Sequence, residues 1–425
     1  MSGQSWPLNR RGAAGAAGAG SLRAVLVRSI CLACLAFGLQ GCGGGSDAGP
    51  NKATVIVMRH CARATPDAGI EADPSYTRYN DYSEKPWPAF SVPPWFCLPR
   101  GADIVEAQGR WLRGRGGLPE PVRAVADYMA IGQRDNVTMH RFLKGLGLSA
   151  AAAAAKVDHG PWSHTENKAC KAATASLAER EEGARALMKA TPMPASFSEG
   201  LHQLFEVTGK GIAGDWTMRG CEVTKSPSGE SVPVPSGACD VAAVFAERLL
   251  MEWGGGMEVG WGRASVDEVI SLQALQAWHF FLRFATPEVY RSSIASLTQR
   301  LASGLSRGGG GTDLYVGHDS DLIMLNGALG LTWDAAPFPV NATLPGSMLR
   351  FDLEDDIVTA KYLFVANFSA SDGVMVEVPA IFAGAASDHI SLAELKSRIE
   401  HSSIAACANP LSEIIGASDL STVVV

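Results

Sequence analysis

Two short runs rich in apolar and β-branched residues, each followed two positions later by a histidine, constrain the fold of this chain more than any other feature. Residues 53–58 form a β-branched run that leads through Arg59 to His60, and residues 312–316 form a second run that leads to His318. Continuous apolar runs of this length are typical of strands that are buried on both faces in a parallel sheet. We therefore predict two buried strands with polar clusters at their carboxyl ends.

Helical patterns follow both runs, at residues 101–113 and 322–329. A strand, a polar cluster and then a helix is the repeating arrangement of α/β proteins. In open α/β sheets the ligand crevice lies at the carboxyl ends of the strands. We therefore expect the two histidine clusters, which are far apart in the sequence, to meet in space.

The middle of the chain has a different pattern. Residues 141–258 contain an alanine run, a helical stretch at 172–189 and a Pro/Gly/Ser-rich segment at 226–237, but no run typical of a buried strand. This pattern predicts a mainly helical cap inserted into an α/β domain that is formed by residues 51–140 and 259–425.

Residues 1–50 form a leader rather than part of the fold. Arginines precede an apolar stretch at residues 30–39, which is too short to span a bilayer and is typical of an export signal. Residues 39–42 resemble a bacterial lipobox in which Cys42 would carry a lipid anchor, although Gln40 is unusual there; simple cleavage nearby is the alternative. We expect an exported protein that is periplasmic, secreted or lipid-anchored.

The overall charge narrows the class of ligand. The chain has 425 residues, 47% of them hydrophobic and 19% charged, as in a folded globular protein. Its formal net charge of −7 gives no basic surface for nucleic acid. A protein of this charge that handles anions must concentrate its positive charge locally, so the positions of individual arginines are informative.

Cysteine usage agrees with export. After Cys42 the chain has an even number of cysteines, which in an exported protein favours disulfides and leaves 15 connectivities open. They are Cys61, Cys97, Cys170, Cys221, Cys239 and Cys407. Since none of them has a Cys-x-x-Cys spacing, we expect no metal site from these residues.

Arg59 and Arg63 flank His60 at the end of the first run. A phosphoryl group spreads negative charge over its oxygens, and its transfer requires that this charge be neutralised while nucleophile and leaving group lie in line. Two guanidiniums can bind those oxygens and leave an imidazole nitrogen free to attack. A basic surface patch with an incidental histidine is the alternative.

The other candidates follow from the same chemistry. His318 can donate a hydrogen bond to phosphate, and Asp319 can protonate a leaving alkoxide as a general acid. A helix N-cap is the alternative role of Asp319. Arg134, at the start of an amphipathic pattern, is a candidate third guanidinium, with a solvated surface charge as its alternative.

Together these motifs resemble the histidine acid phosphatases, a branch of the histidine phosphatase superfamily. Segments 87–101, 256–263, 318–331 and 344–349 are similar to those of the bacterial periplasmic phytase and glucose-1-phosphatase group, and the resemblance covers roughly residues 52–410. It implies an α/β fold of the phosphoglycerate mutase-like type, in which helices flank a sheet, with a smaller, mainly α-helical cap domain.

The resemblance also implies a role for each candidate residue. His60 would be the nucleophile that forms a phosphohistidine, and Asp319 would protonate the leaving oxygen. The substrate phosphate would be bound by the remaining basic residues, Arg59, Arg63, Arg134 and His318. The substrate would be a small phosphate ester such as a sugar phosphate or an inositol phosphate, and no metal or organic cofactor would be needed.

Disulfide pairing follows partly from the resemblance. It implies a Cys221–Cys239 bridge within the cap and a Cys170–Cys407 bridge from the cap to the C-terminal region. The family usually has glycine or asparagine where Cys61 stands, and Cys97 lies in a segment expected to pack near the same loop. We hypothesise a Cys61–Cys97 bridge beside the active site, with a free buried thiol as the alternative.

The residues after Arg63 depart from the family pattern and bear on the substrate. An acidic residue at Asp67 would repel a polyanion such as inositol hexakisphosphate, which favours a smaller or less charged monoester. Two other functions stay open. One is phosphate transfer to an acceptor, as in mutase relatives, and the other is binding of a phosphate ester without catalysis.

Overall fold

The computed structural model describes residues 52–66, 83–127, 133–158, 168–209, 221–224, 234–236, 238–307, 310–385 and 387–408. The predictions for the leader, Cys42 and Asp67 lie outside these residues, as does most of the segment at 226–237. Within the described ranges, no helix has both the length and the apolar character required to cross a bilayer.

Strands and helices alternate in the first part of the chain, whereas most of the strands near its end follow one another directly. They are β1 (Ala53–Arg59), β2 (Val122–Asp127), β3 (Lys156–Asp158), β4 (Glu222–Thr224), β5 (Val234–Ser236), β6 (Gly311–Gly317), β7 (Leu331–Trp333), β8 (Met348–Glu354), β9 (Ile357–Val365), β10 (Met375–Phe382) and β11 (His389–Ser391).

The helices concentrate between β2 and β7. They are α1 (Pro99–Gly114), α2 (Arg134–Leu146), α3 (Lys168–Ala173), α4 (Leu177–Ala190), α5 (Phe197–Thr208), α6 (Ala238–Gly254), α7 (Val266–Phe284), α8 (Pro287–Ser293), α9 (Ala295–Leu305), α10 (Asp319–Leu329) and α11 (Leu392–Ser402).

In the described part of the chain, one mixed sheet of nine strands has the order β3-β2-β6-β1-β8-β9-β10-β7, with β11 beside β9. Strands β3, β2, β6 and β1 are parallel, and β1 meets β8 in antiparallel orientation. Every residue of β1 and β6 is buried, because α9 and α10 pack against β1 and α2 packs against β6. The α/β class predicted from the two apolar runs is therefore confirmed.

Both predicted helices that follow these strands are present and begin a few residues earlier than expected. Helix α1 begins at Pro99, which suits a first helical turn because proline needs no backbone donor there. Helix α10 begins at Asp319. The Asp321 carboxylate accepts a hydrogen bond from the backbone N–H of His318 at 2.8 Å, so that this donor, which has no partner within the helix, is satisfied. This early start brings Asp319 to the carboxyl end of β6.

The structure corrects the predicted start of the cap at residue 141. That boundary falls inside α2, and β3 pairs with β2 in the main sheet although it lies in the predicted cap range 141–258. Strand β3 cannot be recognised from the sequence, because it has only three residues and two of them are charged. It is a strand because it pairs with β2. Beyond it, helices α4 to α7 pack on one another, as a mainly helical segment requires.

Candidate active site

The two sequence clusters meet where β1 and β6 end. The strands are in parallel register with Arg59 opposite Gly317, and the backbone N–H of His60 donates to the Gly317 carbonyl at 2.9 Å. The ring centroids of His60 and His318 lie 5.6 Å apart. The carboxyl ends of two neighbouring parallel strands therefore present both histidines on one edge of the sheet.

The ring of His60 is oriented by its own loop. The ring is buried, and Nδ1 donates to the Cys61 carbonyl at 2.8 Å. A carbonyl oxygen can only accept, so this contact assigns the proton to Nδ1 and leaves the lone pair on Nε2. Burial lowers the pKa of His60 well below its usual value, and the positive charges of Arg134, Arg59 and Arg63 lower it further. Both effects favour the neutral ring, with its lone pair on Nε2, at pH values below the usual pKa of histidine.

Arg59 and Arg63 are held by one carboxylate that reaches the site from α6. Glu247 Oε1 lies 3.0 Å from Nη2 of Arg59 and 3.0 Å from Nη2 of Arg63. Arg59 also donates to the Thr343 carbonyl and is fully buried. Two like charges can share a dry site only when opposite charge and hydrogen bonds compensate them. Glu247 supplies that compensation and fixes both guanidiniums beside His60.

An aromatic ring brings the third arginine into the same group. The guanidinium carbon of Arg63 lies 4.5 Å from the ring centroid of Trp95, and that of Arg134 lies 5.0 Å from it. Such cation–π contacts hold a guanidinium without neutralising it. Burial and the charge of Arg63 lower the pKa of Arg134 to about 10, so it remains charged at neutral and acidic pH. Trp95 therefore holds two of the three candidate phosphate-binding guanidiniums in contact with one ring.

Asp319 lies at the first turn of α10 and reaches back towards β1. Its Oδ2 is 2.9 Å from Nη2 of Arg59, and its Oδ1 accepts from the Ser320 N–H at 2.9 Å. Burial favours the neutral acid, but the charges of Arg59 and Arg63 outweigh it and hold the pKa of Asp319 below its usual value. The carboxyl group thus lies beside Arg59, and its pKa is sensitive to what Arg59 binds.

His318 is surrounded by charged groups. Its Nε2 lies 3.1 Å from Asp127 Oδ2, and its Nδ1 lies 3.4 Å from Nη2 of Arg134 and 3.7 Å from Asp135 Oδ1. The structure thus brings together all the catalytic and phosphate-binding candidates, which come from β1 and the loop after it, from the start of α2, and from the entry to α10. They are Arg59, His60, Arg63, Arg134, His318 and Asp319.

The loop after β1 is braced on several sides. Cys61 and Cys97 form a disulfide with a Cα–Cα distance of 5.9 Å, and Arg63 and Cys97 form an antiparallel bridge. The backbone N–H of Cys61 donates to Thr138 Oγ1 at 2.9 Å. A side chain at Gly101 would approach the Ala62 carbonyl to 2.6 Å, so only glycine allows α1 to pack this closely on the loop.

The other two expected disulfides are also present. Cys170 and Cys407 have a Cα–Cα distance of 4.6 Å and join α3 to a 3₁₀ turn at Ala405–Cys407. Cys221 and Cys239 are 5.3 Å apart by the same measure and flank the β4–β5 hairpin. Among the residues that the structure describes, no group of three or more His, Cys, Asp or Glu side chains is arranged to hold a metal ion.

Sequence reasoning missed four residues of the site. They are Trp95, Asp127, Asp135 and Glu247. Trp95 lies within a segment that was matched to the family, and Asp135 adjoins Arg134, so both positions carried a weak signal. Glu247 and Asp127 carried none, because each is one acidic residue among the polar positions of an ordinary helix or strand.

Comparisons with known proteins agree with this architecture. The chain has the fold of solved bacterial phytases, and part of it is similar in sequence to one of them. Along 130 residues it is 32% identical to the phytase AppA of Escherichia coli K12; the match covers 28% of this chain and 30% of that relative. The chain thus matches less than a third of the length of this curated relative. No family model matches the chain.

Solved structures extend the similarity of fold to most of the chain. The phytase of Hafnia alvei, in complex with myo-inositol hexakis sulphate, has a TM-score of 0.69 at 21% identity, with 85% of this chain and 98% of that one covered. The Citrobacter braakii phytase has a TM-score of 0.64 at 22% identity, with 85% and 100% covered. The Klebsiella sp. ASR1 phytase has a TM-score of 0.69 at 15% identity, with 88% and 100% covered.

Proposed function

We propose that this protein is an acid phosphatase that hydrolyses phosphate monoesters through a covalent phosphohistidine at His60. The observation that carries the proposal is the state of His60. Its Nδ1 donates to a carbonyl, which leaves the lone pair on Nε2, and burial together with three nearby guanidiniums lowers the pKa of the ring and favours its neutral form. A neutral imidazole in a nest of positive charge is suited to attack an anion, because the arginines offset the repulsion between lone pair and phosphate.

In the proposed first step, the Nε2 lone pair of His60 attacks phosphorus. The N–P bond forms while the bond from phosphorus to the ester oxygen breaks, and the leaving alkoxide takes a proton from Asp319. The Nδ1–H bond to the Cys61 carbonyl stabilises the positive charge that develops on the ring. The three arginines bind the phosphoryl oxygens throughout, so the charge of the transition state is neutralised by residues of the chain itself.

In the second step, the Asp319 carboxylate takes a proton from water. The water oxygen forms a bond to phosphorus, the N–P bond breaks, and its electron pair returns to Nε2 of His60. Inorganic phosphate leaves, and the site regains a neutral histidine and a protonated Asp319. Every proton is thus accounted for by Asp319 and water.

The substrate class is the finer part of the proposal. The matched relatives are phytases, and one of them is solved with an inositol hexakis sulphate. These names support an inositol phosphate, whereas the predicted repulsion by Asp67 supports a sugar phosphate or another smaller monoester. A panel of natural esters that includes both classes, compared by kcat/KM, decides between them.

Export remains part of the same proposal. Disulfides form and persist in oxidising compartments outside the cytosol. The three bridges among the described residues therefore support a periplasmic, secreted or lipid-anchored protein, in agreement with the leader expected at residues 1–50.

The deciding experiment is hydrolysis of p-nitrophenyl phosphate at acidic pH by wild type and His60→Ala. Loss of the nucleophile is expected to lower kcat by at least about 10³-fold, since covalent catalysis then has no path. His389→Ala is the matched control, because this exposed histidine on β11 lies outside the site, and it should retain wild-type kcat. Equal rates for wild type and His60→Ala would show that His60 is not the nucleophile.

A further inference from the structure

The ring of His318 lies between two carboxylates from different elements. Asp127 ends β2 and accepts from Nε2 at 3.1 Å, whereas Asp135, in the first turn of α2, has its Oδ1 3.7 Å from Nδ1. Opposite edges of one imidazole therefore face negative charge. We call Asp127 and Asp135 the carboxylate pair.

Asp135 has an unusual environment for an aspartate. It is 1% exposed, and neither of its carboxylate oxygens accepts a hydrogen bond from another residue among those described. Its neighbours are charges instead, since Nδ1 of His318 lies 3.7 Å from Oδ1 and Nε of Arg134 lies 3.8 Å from Oδ2. Burial of an ionised carboxylate without hydrogen bonds destabilises the fold, and nearby positive charge offsets that destabilisation.

The other charged groups around His318 have mixed signs. Asp321 accepts from the His318 backbone N–H at 2.8 Å, and Asp319 follows His318 directly in α10. Arg134 opposes them, with its Nη2 3.4 Å from Nδ1. His60 faces the ring edge-on but is neutral in acid and adds no charge. His318 is thus surrounded by carboxylates from β2, α2 and α10 and by one guanidinium, that of Arg134.

We propose that the carboxylate pair extends the imidazolium state of His318 from acidic into neutral pH, so that the ring binds a phosphoryl group as a cation at neutral pH as well. The two histidines of the site then differ in charge because their surroundings differ: one ring is neutral and the other is positive. Arginines keep His60 neutral for attack, and aspartates keep His318 charged for binding. Asp127 and Asp135 act as positioning residues for this reaction, and the proposal rests on the proposed phosphatase function.

The directions of the pKa shifts agree with this geometry. Burial lowers the pKa of His318, but Asp135 and the hydrogen bond to Asp127 outweigh it and raise it to about 9. Burial raises the pKa of Asp135 to about 6. Below that pH Asp135 is neutral, and the histidine is protonated without its help. Between about 6 and 9 the ionised Asp135 keeps the ring charged, so the carboxylate pair matters at neutral rather than acidic pH.

Burial raises the pKa of Asp321 in the same way, to about 7. Its ionisation in this window also favours the charged ring. Asp321 binds the His318 backbone rather than the ring, so its removal would disturb the start of α10 as well as the charge. Asp127 and Asp135 are therefore the cleaner positions for a test.

The experiment compares wild type, Asp127→Asn and Asp135→Asn by the pH dependence of kcat/KM for p-nitrophenyl phosphate between pH 3 and 9. Both variants keep the size of the side chain and remove its charge. Each should move the alkaline limb of the profile down by about one to three pH units, the usual effect of one opposite charge at this distance. The activity ratio between pH 8.5 and pH 4.5 should then fall about threefold or more relative to wild type, since the protonated fraction of a ring with a pKa of about 9 falls by about that factor at pH 8.5 when the pKa drops by one unit.

Asp388→Asn is the matched control, because Asp388 lies 3.2 Å from an exposed histidine, His389, far from the site. The same ester is used throughout, so its own titration cancels. The control should keep the wild-type profile. Alkaline limbs that coincide in wild type and in both carboxylate variants would overturn the proposal.

A second measurement does not depend on activity. In wild type labelled with ¹⁵N-histidine, the ring signals of His318, assigned by their loss in His318→Gln, should be those of an imidazolium at pH 7. A neutral ring at pH 7 would overturn the proposal even where a variant fails to fold. If wild type hydrolyses no ester while the ring is charged at pH 7, the phosphatase function fails and the charge state of His318 stands.

Discussion

At the scale of single residues, the proposed mechanism places two opposing demands on Asp319. Its ion pair with Arg59 at 2.9 Å holds the pKa of Asp319 below its usual value, whereas a general acid must carry a proton. A phosphoryl dianion bound to Arg59 weakens this ion pair, because it competes for the guanidinium. It also adds negative charge near the carboxyl group. Both effects raise the pKa of Asp319, so substrate binding itself favours the protonated acid.

This coupling leads to a prediction for Asp319→Asn. The variant keeps the shape of the side chain but cannot protonate an alkoxide. Esters with poor leaving groups, such as sugar phosphates, should lose about 10²–10⁴-fold in kcat, the usual worth of general acid catalysis, while p-nitrophenyl phosphate should lose much less because its leaving group needs no proton. The ratio of the two losses is the measurement. Equal losses for both esters would exclude Asp319 as the leaving-group acid.

At the scale of elements, the sequence predicts those parts of the fold that depend on local patterns. The runs at residues 53–58 and 312–316 match β1 and β6, since strands buried on both faces are rich in apolar and β-branched residues. Strand β3 could not be found this way, because its Lys-Val-Asp sequence has no such pattern and its pairing with β2 is a tertiary contact.

The same distinction applies to the site. The positions of His60 and Asp319 at neighbouring strand ends were predictable, because each follows a recognisable buried run. Glu247 was not, since only the packing of α6 against the loop after β1 brings it to 3.0 Å from Arg59. Trp95 and Asp135 likewise act through distances to Arg134 and His318 that no spacing along the chain encodes.

The loop after β1 supplies an element-scale prediction. The Cys61–Cys97 bridge ties the loop that carries His60 and Arg63 to the segment before α1, and the Cys61 carbonyl orients the His60 ring. In the double variant Cys61→Ser/Cys97→Ser, the loop should lose part of this restraint. We expect a lower kcat, by about tenfold or more, because small misplacement of a nucleophile is costly.

The matched control for that variant is Cys221→Ser/Cys239→Ser, which removes a bridge at the β4–β5 hairpin and should leave kcat near that of wild type. Mapping of non-reduced peptides from wild type checks the premise, since it should recover Cys61 linked to Cys97. An alkylated Cys61, or an unchanged kcat in the double variant, would contradict this account of the loop.

At the scale of the whole molecule, the site is assembled from residues that are far apart in the chain. Arg59 and Asp319, separated by 260 positions, form one ion pair, and Glu247 arrives from between them. Interactions that stabilise the folded chain therefore also keep these site residues together. The Cys170–Cys407 bridge spans 237 residues and packs with Ala295 in a small apolar cluster away from the histidines.

This bridge gives the last prediction, in which stability and activity separate. In the chain-entropy account, a cross-link stabilises by restricting the unfolded chain, and more so for a longer loop. With loops of 237 and 18 residues, removal of Cys170–Cys407 should lower the free energy of unfolding by about 2 kcal/mol more than removal of Cys221–Cys239. Neither double serine variant should change kcat/KM by more than about twofold, since neither bridge touches Arg59, His60 or Asp319. Urea unfolding at fixed pH, with the ester assay on the same samples, makes the comparison. A larger loss of stability for the shorter loop would contradict the entropic account, and a loss of kcat/KM with unchanged stability would mean that the Cys170–Cys407 bridge acts on the site rather than on the fold.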